Sequence, residues 1–214
     1  SKKTKFLAPR RGDGMGEHQR RGEFVLIFNK PYGVLCQFSG LKPNLSDFIP
    51  LKGFYPAGRL DKTSEGLVVL TNNGATQAMI SNPKHKMEKT YWVQVEGDII
   101  GETLKDLIKG VVIEGIKTLP AKAKIIEPPL GPRTPDIRHR RNIPTSWIEL
   151  RLKEGRNRQV RKMTAAVGHP TLRLYRFNVG PWHILSTKKG EFYKSSLNGS
   201  PFPRNEQKLD RSPY

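Results

Sequence analysis

Two hydrophobic periods alternate along this chain. Residues 89–95 (Lys-Thr-Tyr-Trp-Val-Gln-Val) and 147–152 alternate as strands do, while 24–28 is a short unbroken β-prone run and 67–70 reads as a buried strand. Residues 119–126, ahead of Pro128-Pro129, and residues 172–179 are also β-prone. Between them, 75–81, 103–109 and 159–167 read as helices, the first stopped by Pro83, and 44–48 as the start of a short helix. Asn29-Lys30-Pro31-Tyr32-Gly33 is a turn leading into Val34-Leu35, so strand, turn, strand is the simplest reading there. Many strands with a few short helices between them predict an α+β fold with a largely antiparallel sheet.

The 214 residues suffice for one folded unit or for two small lobes sharing a core, and 36% hydrophobic content supports a packed body. We assign that body to residues 23–198. Residues 1–22 hold seven basic residues and almost nothing apolar, and read as a mobile basic arm that lies along phosphates or as an inert solubilising tail. Residues 199–214, rich in Pro, Ser and charge, read as a second tail.

Charge narrows the partner. Thirty-eight Lys and Arg against nineteen Asp and Glu give a net charge of +19, the footprint of a protein that binds a polyanion, with nucleic acid ahead of a membrane surface because no basic amphipathic helix or long apolar run occurs. The single cysteine, Cys36, cannot form an intramolecular disulfide, and the five histidines are scattered, so no metal site is expected. No apolar signal core follows the Ser-Lys-Lys-Thr-Lys start, and a cytoplasmic monomer is the expected setting.

The chemistry concentrates in Gly58-Arg59-Leu60-Asp61-Lys62-Thr63-Ser64-Glu65-Gly66-Leu67-Val68-Val69-Leu70-Thr71-Asn72-Asn73-Gly74. Most aspartates sit on solvated surfaces or cap helices. Here one is held between a tight turn and a buried run, with Arg59 two residues away and on the same side if the segment is extended. The run resembles motif II of the pseudouridine synthases, G-R-L-D-x-x-(T/S)-x-G-L-x-x-x-T-(N/D)-(N/D)-G, in which the aspartate is catalytic. Asn29-Lys30-Pro31-Tyr32-Gly33-Val34 resembles the N-K-P-x-G motif I of the same family, although turn-making alone would explain its Pro and Gly. Lys89-Thr90-Tyr91 is similar to the K-x-Y motif, and Glu154-Gly155-Arg156-Asn157-Arg158-Gln159-Val160-Arg161-Lys162-Met163 to motif III, E-G-x-x-(H/R)-Q-(V/I)-(R/K)-(R/K)-M. The likeness spans about residues 24–185 and is nearest the RsuA branch, many of whose members carry an N-terminal S4 domain; this sequence has no room for one before its first strand.

That resemblance implies two lobes sharing a mixed, largely antiparallel sheet with a central cleft. It implies an isomerase that detaches a uracil base in RNA, turns it and rejoins it through carbon, with no cofactor. Asp61 would act as nucleophile or assist at C1′ or C2′, kept ionised by Arg161 and Arg59 in a water-poor pocket. Tyr91 would stack on the target base, and Leu174 or Leu172 would wall its pocket. Ribosomal RNA, most of all 23S rRNA, is the implied substrate, with tRNA as the rival. A non-catalytic rRNA-binding assembly factor is the alternative from another class. Lys89, Lys153, Arg156, Arg158 and Lys162 are candidate RNA contacts, as are Arg138, Arg140 and Arg141, which form a basic loop with Arg133 and His139.

Overall fold

A computed structural model of the chain describes residues 24–184 and 186–207. The expected arm, residues 1–22, lies outside them. The core is a single mixed sheet of nine strands. Its first half is built from β1 (Val25–Lys30), β2 (Tyr55–Ala57) and β3 (Glu65–Thr71), with β11 (Phe192–Ser195) on the outer edge. Its second half holds β4 (Lys89–Glu96), β7 (Lys122–Ile126), β8 (Thr145–Leu152) and β9 (Thr171–Val179), with the short β10 (Trp182–His183) beside β9. The strand order is β11-β1-β3-β9-β4-β8-β7, and every pairing is antiparallel except β3 with β9.

The hydrophobic runs explain where each strand lies. All six residues of β1 and all seven of β3 are buried, because apolar clusters cover both faces of this half: Val25, Ile27, Leu67 and Val69 pack with Trp182 on one side, and Leu26, Phe28, Val68 and Leu70 with Leu45 and Ile49 on the other. In the second half β4 and β8 send Tyr91, Val93, Val95, Ile148 and Leu150 into one cluster, under α2 (Gly101–Lys109) and α3 (Gln159–Ala166). Their more exposed alternate residues produce the period of two. Helix α1 (Gly74–Ser81), capped by the Asn73 side chain on the Thr76 amide, packs beside β2.

Three local expectations change. Val34-Leu35 forms no strand: the Gly33 amide donates to the Lys62 carbonyl (2.8 Å), which leads the chain away from β1 into a loop closed by a Leu35–Asn44 bridge. The β5 (Val112–Ile113) and β6 (Ile116–Lys117) hairpin escaped the sequence reading, though Glu114-Gly115, both with positive φ, is a two-residue turn of the hairpin kind. Within the expected second tail, residues 200–207 fold back. Pro201 bridges Ser195, the Gln207 amide donates to the carbonyls of Lys194 and Phe202, and Phe202 packs on Phe24 at 5.8 Å.

The halves meet along only two residue pairs, Glu65 with Tyr175 and Gly66 with Arg176. A Cβ on Gly66, whose φ is +105°, would lie 2.3 Å from the Arg176 carbonyl oxygen, so no other residue fits that contact. Around it Arg173 grips Glu65 bidentately at 2.9 and 3.0 Å, both side chains less than a tenth exposed. Arg176 donates to the carbonyls of Leu67 (2.9 Å) and Gly58 (2.6 Å). Gly66→Ala should therefore lose about 3 kcal/mol or more of folding stability through the backbone clash and the strained φ. Urea unfolding measures this, and a loss below about 1 kcal/mol would show that the junction can open without penalty.

Candidate active site

A cleft of ≈ 430 Å³ opens where the halves meet. Its walls come from the turn between β2 and β3 (Gly58 to Ser64), the start of β4 (Lys89, Tyr91), the loop before α3 (Glu154 to Arg158), Arg161 on α3, and Leu174 and Arg176 on β9. Motifs more than a hundred residues apart thus line one space.

The turn that carries Asp61 is pinned on three sides. The Ser64 amide donates back to the Asp61 carbonyl (3.1 Å), Arg176 holds the Gly58 carbonyl, and the Lys62 carbonyl accepts from Gly33 (2.8 Å) and from the Lys30 ammonium (3.3 Å). Lys30 is fully buried and also donates to the carbonyls of Pro31 and Val34 (2.9 Å each); burial lowers its pKa to about 8. The Asn-Lys-Pro-Tyr-Gly turn is therefore a brace behind the aspartate loop, a role that turn-making Pro and Gly alone would not have revealed.

The arginine that meets Asp61 is not one of the two expected. Arg158 places Nη1 2.7 Å from Asp61 Oδ2. Its backbone is left-handed (φ 52°) at the residue that opens α3, which turns its side chain back toward the aspartate. Arg161, one turn into the helix, instead donates through Nη2 to the Thr63 carbonyl (3.1 Å) and to the hydroxyls of Thr63 and Ser64 (3.3 Å each). Its Nε is buried without a partner. Burial and the neighbouring Arg158 lower the Arg161 pKa, and Asp61 opposes them. Arg59 is exposed at the cleft lining, and its guanidinium reaches Gln37 at 3.5 Å rather than Asp61. An extended segment would have put Arg59 beside Asp61, but the segment is a turn. The Asp61 side chain is 42% exposed, so the unliganded cleft is not the water-poor pocket that was expected.

Tyr91 enters the cleft from β4. The β4–β9 ladder shifts register between Thr90 and Tyr91, which sets Arg176 opposite Tyr91, and Leu174 follows on the same face opposite Val93. Leu174 is buried in the cleft wall, whereas Leu172 lies outside it. Arg176 was missed as a site residue. An arginine inside the β-prone run of residues 172–179 was its signal, since a buried guanidinium needs prearranged acceptors.

The basic residues divide. Lys153, Arg138 and Arg141 are exposed without an ion-pair partner among the described residues. Arg156 lines the cleft but spends its guanidinium on the carbonyls of Ile113 (2.7 Å) and Ile116 (3.1 Å), bracing the β5–β6 hairpin. Lys162 pairs with Glu114 (2.7 Å) and Arg140 with Glu96 (3.2 Å). Arg133 is not part of an exposed loop: it is buried, stacked 3.9 Å over the Tyr32 ring, and donates to the carbonyls of Pro135 and Asp136. Among the described residues no three His, Cys, Asp or Glu side chains gather as metal ligands, and no helix is long and apolar enough to cross a membrane.

Residues 24–166 match the family description "RNA pseudouridylate synthase". Ribosomal large subunit pseudouridine synthase E of Vibrio vulnificus (strain CMCP6) is 50% identical over 177 residues, covering 81% of this chain and 75% of that protein. The protein of the same name from Xanthomonas axonopodis pv. citri (strain 306) is 49% identical over 166 residues, covering 75% of this chain and 87% of its own. Among solved structures, a pseudouridylate synthase crystal structure superposes with a TM-score of 0.67 at 28% identity, covering 86% of this chain and 71% of the other. The pinned aspartate turn, the shared cleft and these matches agree, and the chain belongs to the RNA pseudouridylate synthase family.

Proposed function

We propose that this protein converts a uridine of ribosomal RNA, specifically of the large-subunit 23S rRNA, to pseudouridine with Asp61 as the catalytic carboxylate. The observation that carries the reading is the Asp61 carboxylate itself, held on a pinned turn in the cleft and paired with Arg158 at 2.7 Å. The large-subunit names of relatives near 50% identity support the choice of RNA.

A uridine inside a helix cannot reach this turn, so the target leaves its stack and the ring of Tyr91 replaces the lost stacking. Asp61 then faces the sugar and acts at C1′ or C2′. The ion pair with Arg158 keeps the carboxylate charged and aimed until the nucleotide arrives. Because both side chains of the pair are more than two-fifths exposed, its contribution to folding is small and its value is orientation. A bound nucleotide covers the 42% exposed Asp61 side chain and so excludes water from it.

Tritium release from 5-tritiated uridine in unmodified 23S rRNA tests the reaction, with tRNA as the competing substrate. Wild-type protein is expected to release tritium from the rRNA, and Asp61→Asn to release none while binding RNA within a few fold. Binding without release would favour an assembly factor, and release from tRNA alone would move the substrate. Arg158→Ala should slow release by about 100-fold, the cost of a misplaced catalytic group, while changing stability by less than about 1 kcal/mol. An unchanged rate would return the pairing role to Arg161. Replacing Arg138, Arg141 and Lys153 together by Ala should flatten the salt dependence of RNA affinity by about two to three phosphate contacts, at unchanged turnover on saturating RNA. An unchanged slope would place the phosphate grip elsewhere.

A further inference from the structure

Lys89 is a cleft residue whose structural surroundings do not explain it. Its side chain leaves β4 on the same face as Tyr91, and the residue is only 9% exposed. Every other buried basic side chain in or near the cleft has acceptors: Lys30 has three carbonyls, Arg173 has Glu65 and Gly131, and Arg176 has Leu67 and Gly58. The Lys89 ammonium has no hydrogen-bond or ion-pair partner among the described residues. Room for it comes from Gly155 on the facing loop, where a Cβ would come within 3.0 Å of Nζ. The stem of Lys89 is therefore covered while its ammonium opens into the cleft, so the fold presents a donor with no partner among the described residues beside the base-stacking tyrosine.

We infer that Lys89 is a further catalytic residue, whose ammonium donates to a carbonyl oxygen of the target uracil as that base leaves the sugar as an anion. The inference rests on the isomerase reading above. When the C1′–N1 bond breaks, its electron pair stays with the base and spreads from N1 onto O2 and O4. The sugar makes good the pair at C1′ from the Asp61 carboxylate or from its own C2′–H bond. Lys89 keeps its proton throughout and stabilises the anion until C5 bonds to C1′, which displaces the Asp61 carboxylate or takes back the C2′ proton; C5 then loses its hydrogen to solvent as a proton, and N1 takes one up. Two residues along a strand span roughly 6.6 Å, so a base stacked on Tyr91 lies within reach of a lysine side chain. A donor that meets its acceptor only as charge develops acts on the rate more than on the affinity.

A phosphate is the other ligand an ammonium could take. Arg138, Arg141 and Lys153, exposed and without an ion-pair partner among the described residues, suit that task, whereas Lys89 lies within the cleft beside the residue that takes the base. Burial, then the guanidinium of Arg176 on β9, lowers the Lys89 pKa to about 8. The other charged groups around the cleft are Asp61 and Arg59 of the turn, Glu154, Arg156 and Arg158 of the facing loop, and Arg161 of α3. The ammonium is thus complete below pH 8 and lost as pH rises through it, and the rate of a step that needs it falls in that direction.

The test is single-turnover tritium release from 5-tritiated 23S rRNA by wild type, Lys89→Met and Lys89→Arg across pH 6 to 9.5, with RNA dissociation constants measured in parallel. Methionine fills the enclosed space without charge, and thermal unfolding verifies that it folds. Lys89→Met is expected to lower the rate constant by about 100- to 1,000-fold with RNA affinity within threefold. The wild-type rate should fall above an apparent pKa near 8, and Lys89→Arg should retain part of the rate and lose that fall. A Lys89→Met rate within threefold of wild type would overturn the role, as would a tenfold loss of affinity at unchanged rate, which marks a phosphate contact. An alkaline fall that persists in a folded Lys89→Arg protein would likewise count against it. Absence of release by the wild type would remove the isomerase reading and this role with it, whereas wild-type release undiminished in Lys89→Met removes the role alone.

Discussion

The close approach of Gly66 to the Arg176 backbone is the constraint on which the rest of the molecule depends. Two antiparallel half-sheets share only two parallel residue pairs, so the join has little ladder hydrogen bonding of its own. Side chains supply what the ladder lacks. The Glu65–Arg173 pair and the Arg176 bonds to Leu67 and Gly58 cross the junction where water is excluded, so removing one partner would leave an uncompensated charge. The same join fixes the cleft, because Gly58 opens the aspartate turn and Arg176 lines the opposite wall.

Seen from that junction, the site is a turn held by groups that do no chemistry. Lys30 and Gly33 support it from behind, Arg176 from below, and Arg161 through Thr63 and Ser64 from the helix side. Asp61, Arg158, Tyr91, Leu174 and Lys89 are among the side chains that line the space where a nucleotide would lie. Such a division suits catalysis by orientation: the supporting groups hold the turn through hydrogen bonds, while the carboxylate proposed to react stays accessible. The positive charge divides in a similar way: buried Lys30, Arg173 and Arg176 brace the fold, while Arg138, Arg141 and Lys153 are exposed without an ion-pair partner among the described residues.

The segment between β7 and β8 extends this logic across the halves. Arg133 lies over Tyr32 of the first half, and Gly131 accepts at 2.6 Å from Arg173, the β9 residue that grips Glu65, so a connection belonging to the second half is fastened beside the junction. A run of arginines between prolines reads as a solvated loop in sequence. Its first member is instead a buried fastening, and only the later ones reach solvent.

Period and punctuation settled most of the fold in advance. The unbroken runs became β1 and β3, the alternating runs became β4 and β8, and Pro83 ended α1 where expected, because these are local consequences of burial and backbone sterics. The aspartate, the tyrosine and the motif III loop were legible as a set because their residue types and order match a family pattern. The sequence could not decide which arginine touches Asp61. Spacing favoured Arg59 and alignment favoured Arg161, but a turn in place of an extended segment and one left-handed residue at the start of α3 gave the contact to Arg158. Nor could it distinguish the caged Lys30 from the unpartnered Lys89, since both are lysines beside strand residues. Their difference lies in which carbonyls the tertiary structure brings near each ammonium, and side-chain partnership across a hundred residues is decided only when the two half-sheets close.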